Sequence, residues 1–319
     1  MWSDAVIMIR PTGIDFNVET AGDNTFQSRY PGGVAELRAA ALAEFDGLAR
    51  QLRYAGVDVY VAEPPAADGI PDAVFPNNWF STHADGTVVW YPMAAANRRA
   101  ERRESLFDDL AQAGYQVNRR IDLSSWEHDG VFLEGTGSLV LDRAAKVAYA
   151  SLSPRTTAEG VARWCRLMGY QPCVFHAVET KPDRMIPIYH TNVVLSLGVD
   201  WAVLCLESLV DADERSRVQQ MLRESGREIV AIDRRQMQRF AGNILQLRAA
   251  DSPQFVVAMS VAAQTVFRPE QWRLIADRNA IVATDISTIE SCGGGSVRCM
   301  LAENFLPRVS LGAKPVNAR

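Results

Sequence analysis

The chain of 319 residues repeats one order of elements five times. Each copy begins with a segment whose apolar residues recur at three- and four-residue steps, which predicts an amphipathic helix. Each segment stops at a residue type that tolerates a positive φ, and a short run rich in β-branched and apolar residues follows. The stops stand 53 to 58 residues apart. The predicted helices span 34–55, 97–113, 156–168, 211–225 and 269–278, and their stops are Gly56, Gly114, Gly169, Gly226 and Asn279.

Repeats of this length constrain the fold, because one unit is too small to bury its own apolar face. The units must therefore pack against each other, and five equivalent units favour a closed ring. We expect a single α/β domain over residues 1–319 with pseudo-five-fold repetition. In a closed ring the equivalent position of every unit points at one axis, so residues far apart in the sequence meet there.

A polar cluster follows each helix stop. Its equivalent residues, 17 to 22 positions after the stops, are Asn78, Glu134, His190, Asn243 and Cys299. A polar turn between strands explains any single cluster, since turns favour glycine and asparagine. It does not explain why three of five equivalent positions carry glutamate, histidine and cysteine, the residue types of acid–base and nucleophilic chemistry. These three residues are therefore predicted to form a catalytic set on the ring axis.

Composition and charge narrow the class of protein. Hydrophobic residues make up 48% and charged residues 22%, as in a globular protein with a sizeable core. The net charge of -5, with no long lysine or arginine run, argues against a nucleic-acid partner. No apolar run reaches the roughly 18 residues of a membrane span, and the one near the start is too short for a signal peptide. We expect a cytoplasmic protein without a membrane partner.

Cysteine and histidine spacing carries no metal or disulfide signature. The five cysteines form no CxxC pair, and the four histidines form no HExxH helix. We therefore expect no metal site, no disulfide framework and no cofactor.

Six segments around the clusters carry a family resemblance: FPNNWFSTH, LEGTGSLVLDR, LSPRTT, YHTNVVLSLG, GNILQL and GGGSVRCMLAE. They resemble segments of the guanidino-group modifying enzymes of the pentein fold. The resemblance covers nearly the whole chain and implies a five-bladed α/β propeller built from ββαβ-like units. That superfamily includes arginine deiminase, dimethylarginine dimethylaminohydrolase and glycine amidinotransferase, and this chain is most similar to the branch of citrulline-utilisation hydrolases, or arginine-deiminase-related proteins.

The resemblance also implies a role for each member of the catalytic set. It makes Cys299 the nucleophile, His190 the general acid and base, and Glu134 the carboxylate that supports the site. Because a free thiol has a pKa of about 8.5, Cys299 needs help to ionise, and we expect His190 to supply it. The thiolate would attack the central carbon, and His190 would protonate the leaving nitrogen and then activate water against the covalent intermediate.

Three arginines match positions that hold the α-carboxylate of the substrate in related enzymes. They are Arg155 in SPRT and, in NRRAE, Arg99 with Arg98 as the alternative one position away. Asn243 is a further residue expected to contact substrate. The expected partner is therefore a small amino acid, and association with other copies of the chain stays open.

Two asparagines indicate which amino acid is expected. Related enzymes that act on a guanidinium hold it with carboxylates, whereas this chain has Asn78 and Asn192 at the matching positions. A ureido oxygen is an acceptor that an asparagine N–H satisfies. A carboxylate there would leave two acceptors facing each other, at a free-energy cost of about 1–3 kcal/mol. We therefore expect hydrolysis of citrulline to ornithine, ammonia and carbon dioxide.

Two other readings stay open. An arginine deiminase, another guanidine hydrolase or an amidinotransferase is the first alternative, because Asp15, Asp23 or Asp129 could approach the site from loops. The second is a non-enzymatic binding protein of the same fold. The joint presence of a cysteine, a histidine and a glutamate at equivalent positions argues against it, since a binding surface has no need of them.

Overall fold

The computed structural model describes residues 1–65, 69–180 and 183–309. Within these ranges the chain has a mixed α/β fold in which the strands form several small sheets. The strands are β1 (Ala5–Ile9), β2 (Asp58–Ala62), β3 (Phe80–Thr82), β4 (Thr87–Trp90), β5 (Arg119–Asp122), β6 (Val140–Asp142), β7 (Val147–Ser151), β8 (Gln171–Phe175), β9 (Val178–Thr180), β10 (Met185–Pro187), β11 (Leu195–Leu197), β12 (Trp201–Cys205), β13 (Glu228–Ile232), β14 (Leu245–Arg248), β15 (Phe255–Ser260), β16 (Asn279–Thr284) and β17 (Ala302–Glu303).

Five three-stranded sheets share one internal order. In each, the middle strand pairs antiparallel with one neighbour and parallel with the other. The sheets are β17-β1-β2, β3-β4-β5, β6-β7-β8, β11-β12-β13 and β14-β15-β16, and β9 and β10 form a separate hairpin. The repeat inferred from the sequence is therefore visible as a repeated pattern of strand pairing.

The helices connect the strands and cover the sheets. In the longest one, buried residues such as Leu37, Phe45, Leu48 and Leu52 recur at the spacing of one helical face. The α-helices are α1 (Val34–Tyr54), α2 (Ser105–Gln112), α3 (Gly135–Ser138), α4 (Ala158–Met168), α5 (Ala212–Glu224), α6 (Arg234–Gln238), α7 (Val261–Gln264), α8 (Pro269–Ala276), α9 (Ser287–Gly293) and α10 (Val297–Met300). Short 3-10 helices span Pro76–Asn78, Asn97–Glu101, Ser124–Asp129, Thr191–Val193 and Leu206–Ser208.

The predicted helices are confirmed with two differences. The segment 97–113 is divided, because Arg102 takes an extended backbone between the 3-10 helix Asn97–Glu101 and α2. Asn279 does not take a positive φ and instead begins β16. Its side-chain amide donates to the Ile275 carbonyl at 2.6 Å, which satisfies a free carbonyl at the end of α8 without a left-handed turn. The four glycine stops do have positive φ.

The arrangement of the sheets brings the polar clusters together. Each cluster lies just before the antiparallel edge strand of a sheet, which is β3, β6, β11, β14 or β17. These edge strands are neighbours in space: β17 lies against β3, and β11 contacts both β6 and β14. Helix α3 contacts both β3 and β6. Segments from all five sheets therefore meet at one end of the edge strands. Among the described residues, none of the helices combines the length and apolar character that crossing a bilayer requires.

Candidate active site

The thiol of Cys299 lies in the short helix α10, and the residue is buried. Two side-chain amides face its sulfur: Asn243 Nδ2 lies 3.3 Å and Asn192 Nδ2 3.5 Å from Sγ. Asn243 Nδ2 also lies 2.9 Å from the backbone oxygen of Asn192, which ties the two asparagines together. N–H groups directed at a sulfur stabilise its anionic form. The structure thus places Asn243 beside the Cys299 thiol.

His190 and Glu134 form a buried pair. His190 Nε2 lies 2.8 Å from Glu134 Oε2, and both residues are almost fully buried. Burial raises the pKa of Glu134, but the His190 hydrogen bond and the charges of Arg155 and Arg98 outweigh it and lower the pKa to about 2. Burial lowers the pKa of His190 below its usual value although Glu134 acts in the opposite direction. The pair at neutral pH is therefore a carboxylate and a neutral imidazole.

The activation of the thiol differs in geometry from the sequence expectation. His190 is not a hydrogen-bond partner of Cys299 among the described residues, because its Nε2 is held by Glu134 while the sulfur is held by two amides. Arg298, the neighbouring cation, pairs with Glu303 at 3.1 Å. The two asparagines are therefore the groups in direct contact with the thiol.

Arg98 is the member of the Arg98 and Arg99 pair that reaches the site. Its fully buried guanidinium makes two hydrogen bonds to Glu101, at 2.8 and 3.0 Å, and a third to Asn78 Oδ1 at 2.8 Å. The side chain of Arg99 is about a third exposed, and its Nε lies 3.1 Å from Glu127 Oε2, outside the cavity. The structure therefore places Arg98 at the cavity and gives Arg99 an ion pair with Glu127 outside it.

Arg155 is a second buried arginine near Glu134. Each guanidinium has one Nη1 atom 3.9 Å from Glu134 Oε2. Arg155 also makes a two-point contact with Asp23, in which Nε lies 2.9 Å from Oδ2 and Nη2 contacts Oδ1. Its guanidinium carbon lies 5.0 Å from the centre of the Tyr189 ring. Both arginines of the site are thus paired with carboxylates of the protein.

Sequence reasoning missed Asp72, which faces the same cavity. Its Oδ2 accepts from Asn17 Nδ2 at 2.7 Å, while its buried Oδ1 has no hydrogen-bond partner among the described residues. Burial raises its pKa although Arg98 acts in the opposite direction. Asp72 precedes the PNN cluster by four residues, so a search for carboxylates upstream of each cluster would have found it.

The cavity that these residues line is nearly filled. Its free space is about 10 Å³, no more than one water needs. The residues around it are Asn24, Asp72, Phe75, Asn78, Arg98, Arg155, Tyr189, His190, Gly293, Gly294, Gly295 and Cys299. Since an amino acid would not fit this space, the structure describes a closed state of the site.

Close backbone contacts hold neighbouring clusters in register. Gly135 has a φ of +48°, and a Cβ added to it would lie 2.3 Å from the backbone oxygen of Asn77. A Cβ on Gly137 would lie 2.4 Å from Asn78 Nδ2 and 2.8 Å from His190 Nδ1. Helix α3 can therefore pass between Asn78 and His190 only because these positions carry no side chain.

Several other sequence candidates lie elsewhere. Cys292 is buried in α9 and is not among the residues lining the cavity, and burial raises its pKa to about 11. Asp129 pairs with Arg163 at 3.2 Å, and Asp15 is exposed. Of the three aspartates considered, only Asp23 reaches a residue of the site. In the described ranges, no three histidine, cysteine, aspartate or glutamate side chains are grouped as metal ligands would be.

Comparison with known proteins gives one family and several similar structures. The family model for N,N-dimethylarginine dimethylhydrolase of the eukaryotic type matches residues 10–306. A search of proteins with curated functions found no match.

The similar structures include ArgZ, an arginine dihydrolase of cyanobacteria, with a TM-score of 0.70 and 16% identity. The match covers 96% of this chain and 41% of ArgZ, so the chain spans about two fifths of that protein. The isolated N-terminal domain of ArgZ, bound to its product, matches with a TM-score of 0.70 and 16% identity over 95% of this chain and 99% of that one. A mutant dimethylarginine dimethylaminohydrolase from Pseudomonas aeruginosa in complex with citrulline has a TM-score of 0.62 and 16% identity over 95% and 100%. These likenesses concern the fold.

Proposed function

Because the chain belongs to the N,N-dimethylarginine dimethylhydrolase family, within the pentein superfamily of guanidino-modifying enzymes, we propose that it hydrolyses citrulline to ornithine, ammonia and carbon dioxide. This proposal rests on one observation: the Cys299 thiol and the His190–Glu134 pair lie at one closed cavity. Arg98 and Arg155 at the same cavity supply positive charge suited to a substrate carboxylate.

The chemistry of the proposed reaction follows from these groups. The Cys299 thiolate, stabilised by the N–H groups of Asn192 and Asn243, attacks the ureido carbon. His190, neutral at the start, accepts the proton that the Cys299 thiol loses, and the adjacent Glu134 stabilises the imidazolium so formed. The imidazolium then gives this proton to the leaving nitrogen, which departs as ammonia. Water then attacks the thioester carbon with His190 as base. The carbamic acid released at this step decomposes to the amine and carbon dioxide.

The preference for a ureido group rests on the neutral side chains near the thiol. Asn78 Oδ1 already accepts a hydrogen bond from Arg98. Its Nδ2 donates one of its two N–H groups to Asn77, and the other is available to a carbonyl oxygen. Asn192 Oδ1 is a buried acceptor without a partner among the described residues, and it suits the ureido NH₂. Donor and acceptor together match a neutral urea.

Arginine is the second candidate substrate, and Asp72 is the observation that favours it. A buried carboxylate with a free oxygen can pair with a guanidinium as well as with the α-ammonium of any amino acid. The similar protein ArgZ is an arginine dihydrolase, which fits this candidate equally well.

We propose further that residues 1–319 form one domain in which the five sheets are the blades of a propeller. The common strand order and the contacts among the antiparallel edge strands support this arrangement. A cytoplasmic location and a small amino acid as the partner stay predictions from the sequence.

The proposal is tested by incubating the purified protein with citrulline, arginine and N,N-dimethylarginine and identifying the products by mass spectrometry. Ornithine with ammonia from citrulline is the expected result. Citrulline from arginine would identify a deiminase, and dimethylamine would identify a dimethylarginine hydrolase. If citrulline stays intact while another of these compounds is consumed, the proposed substrate is wrong.

The role of the asparagines is tested by carboxylate substitutions. Asn192→Asp places a negative charge beside the Cys299 sulfur and removes an N–H donor, so citrulline turnover should fall. A guanidinium can pair with the new carboxylate, and the ratio of kcat/KM for arginine to that for citrulline should therefore rise. It should rise further in Asn78→Asp/Asn192→Asp. Kinetics of both substrates across pH separate thiol ionisation from binding, and an unchanged ratio would remove the physical basis for choosing citrulline.

A further inference from the structure

A coil segment closes the cavity from the outside. This covering segment, residues 17–28, lies between β1 and α1 and contains neither helix nor strand. Asn24 Nδ2 donates to the Gly293 carbonyl at 3.3 Å, and the backbone N–H of Ser28 donates to the Ser291 carbonyl at 2.6 Å. Phe26 packs edge-on against Tyr189 with ring centres 6.1 Å apart. The segment thus touches several residues on the rim of the cavity.

Asp23 makes the strongest of these contacts. Its two carboxylate oxygens bind the Nε and Nη2 atoms of Arg155, the two-point geometry that an arginine offers to any carboxylate. Among the described residues, this is the only ion pair that the covering segment makes with the rest of the protein. The carboxylate of an amino-acid substrate would compete for the same two donors.

The other buried arginine differs in what holds it. Arg98 pairs with Glu101 of the same 3-10 helix, and both residues are almost fully buried. The Asp23 side chain is 25% exposed, and its backbone belongs to a coil. Removing the Asp23 carboxylate from Arg155 therefore moves a partly exposed side chain, whereas removing the Glu101 carboxylate from Arg98 would break a fully buried contact.

We propose that Asp23 is a gate, which closes the site by occupying Arg155 and is displaced by a substrate that brings its own carboxylate. The inference rests on the proposed function in one respect, namely that the substrate is an amino acid. Displacement exchanges one carboxylate for another on the same guanidinium, so a carboxylate-bearing ligand can open the site at little net cost. A ligand without a carboxylate has to break the Asp23–Arg155 pair without replacing it, so it opens the site at a net cost in free energy.

The gate is tested first without any substrate. Cys299 in the purified protein is alkylated with iodoacetamide, a small neutral reagent, and the rate is followed by mass spectrometry of the Cys299 peptide. Asp23→Asn removes the charge but little volume, and alkylation should become about tenfold faster, the effect of losing one hydrogen bond between charged groups. Asp15→Asn is the matched control, since it removes a carboxylate from the same coil without a contact to Arg155. An Asp23→Asn rate equal to or below that of the wild type would overturn the gate.

Specificity is tested with paired substrates that differ only in the carboxylate. Citrulline is compared with N-carbamoylputrescine, or arginine with agmatine if arginine is the substrate found. In Asp23→Asn neither substrate has to break the Asp23–Arg155 pair, so kcat/KM should rise about tenfold for the amine as well as for the amino acid. A gain for neither substrate, or a loss confined to the amino acid, would mean that Asp23 only holds Arg155 in place, and the gate would be wrong. If none of the compounds is turned over, the proposed function fails while the alkylation rates still test the gate.

Discussion

Cys299 is one of five buried cysteines, so burial alone does not mark it as reactive. Its surroundings do, because two asparagine amides face its sulfur. Three other cysteines have pKa values that burial raises to about 11, and these are Cys165, Cys173 and Cys292. The repeat offset identified Cys299 from sequence, but the contacts with its neighbours depend on packing between sheets and could not be predicted.

We expect Cys299→Ser to abolish turnover and Cys292→Ser to retain most of it. A serine hydroxyl is a far weaker nucleophile than a thiolate at neutral pH, whereas Cys292 is not among the residues that line the cavity. Both variants are assayed with the substrate identified above and are labelled with an active-site-directed electrophile. Label found on Cys292, or a Cys299→Ser variant with near-normal kcat, would contradict the assignment.

Arg155→Lys should weaken amino-acid substrates by about tenfold or more in KM, because an ammonium cannot reproduce the two parallel N–H donors of the guanidinium. Analogues without a carboxylate should lose much less. Arg99→Lys serves as the control, since Arg99 lies outside the cavity and pairs with Glu127. Equal losses for substrates with and without the carboxylate would exclude Arg155 as its binding residue.

At the scale of the element, the positions of five helices and of the strand after each followed from periodicity and helix stops, while the loops did not. Asp72, Asn24 and Tyr189 all line the cavity and were missed. Asp72 and Asn24 lie in coil, where no periodic pattern indicates which way a side chain points. Tyr189 directly precedes His190, but an aromatic residue next to a cluster is equally typical of the core.

The hairpin of β3 and β4 contains a histidine whose ionisation opposes folding. Burial, with help from Arg143, lowers the pKa of His83 from 6.5 to about 3. The unfolded chain therefore binds a proton between these pH values that the folded protein does not. Folding stability is lost as the pH falls below 6.5, and this loss continues down to about pH 3. His83 Nε2 lies 3.0 Å from Ser81 Oγ, so the neutral ring also has a hydrogen-bonding role.

His83→Gln should therefore reduce the acid sensitivity of the protein. Between pH 7.5 and 5.0 the wild type should lose about 2 kcal/mol more of its free energy of unfolding than the variant. Urea unfolding followed by circular dichroism at the two pH values measures this difference. His128→Gln is the control, because His128 is exposed. An equal pH dependence in wild type and His83→Gln would show that His83 is protonated in the folded state.

At the scale of the whole molecule, the period of the sequence predicted five equivalent units, and the structure has five sheets with one strand order. The convergence of the clusters was predicted for the same reason. How tightly the site is closed was not predicted, because closure depends on the coil over residues 17–28, which lies outside the repeat. A repeated pattern predicts what its copies share, and it gives no information on a segment that lies outside them.

The site takes residues from the segments that precede the edge strands of all five sheets. Activity should therefore disappear in the same transition as the folded structure. In a urea titration, the midpoints of enzyme activity and of the circular dichroism signal should coincide. Activity lost well before the circular dichroism signal would mean that one sheet separates from the others while the rest stay folded. The Asp15→Asn protein should behave like the wild type in this comparison.

The glycines of α3 make the location of a mutation different from the location of its effect. A methyl group on Gly135 would strike the backbone of Asn77, and one on Gly137 would strike Asn78 and His190, although these three residues precede the edge strands of other sheets. Gly137→Ala is thus, in its consequences, a change at His190 and at an asparagine 59 positions earlier in the chain. A mutational map of this protein drawn along the sequence would consequently scatter effects that form one compact patch in space. A substitution at a glycine of α3 would therefore act through residues that precede the edge strands of the neighbouring sheets.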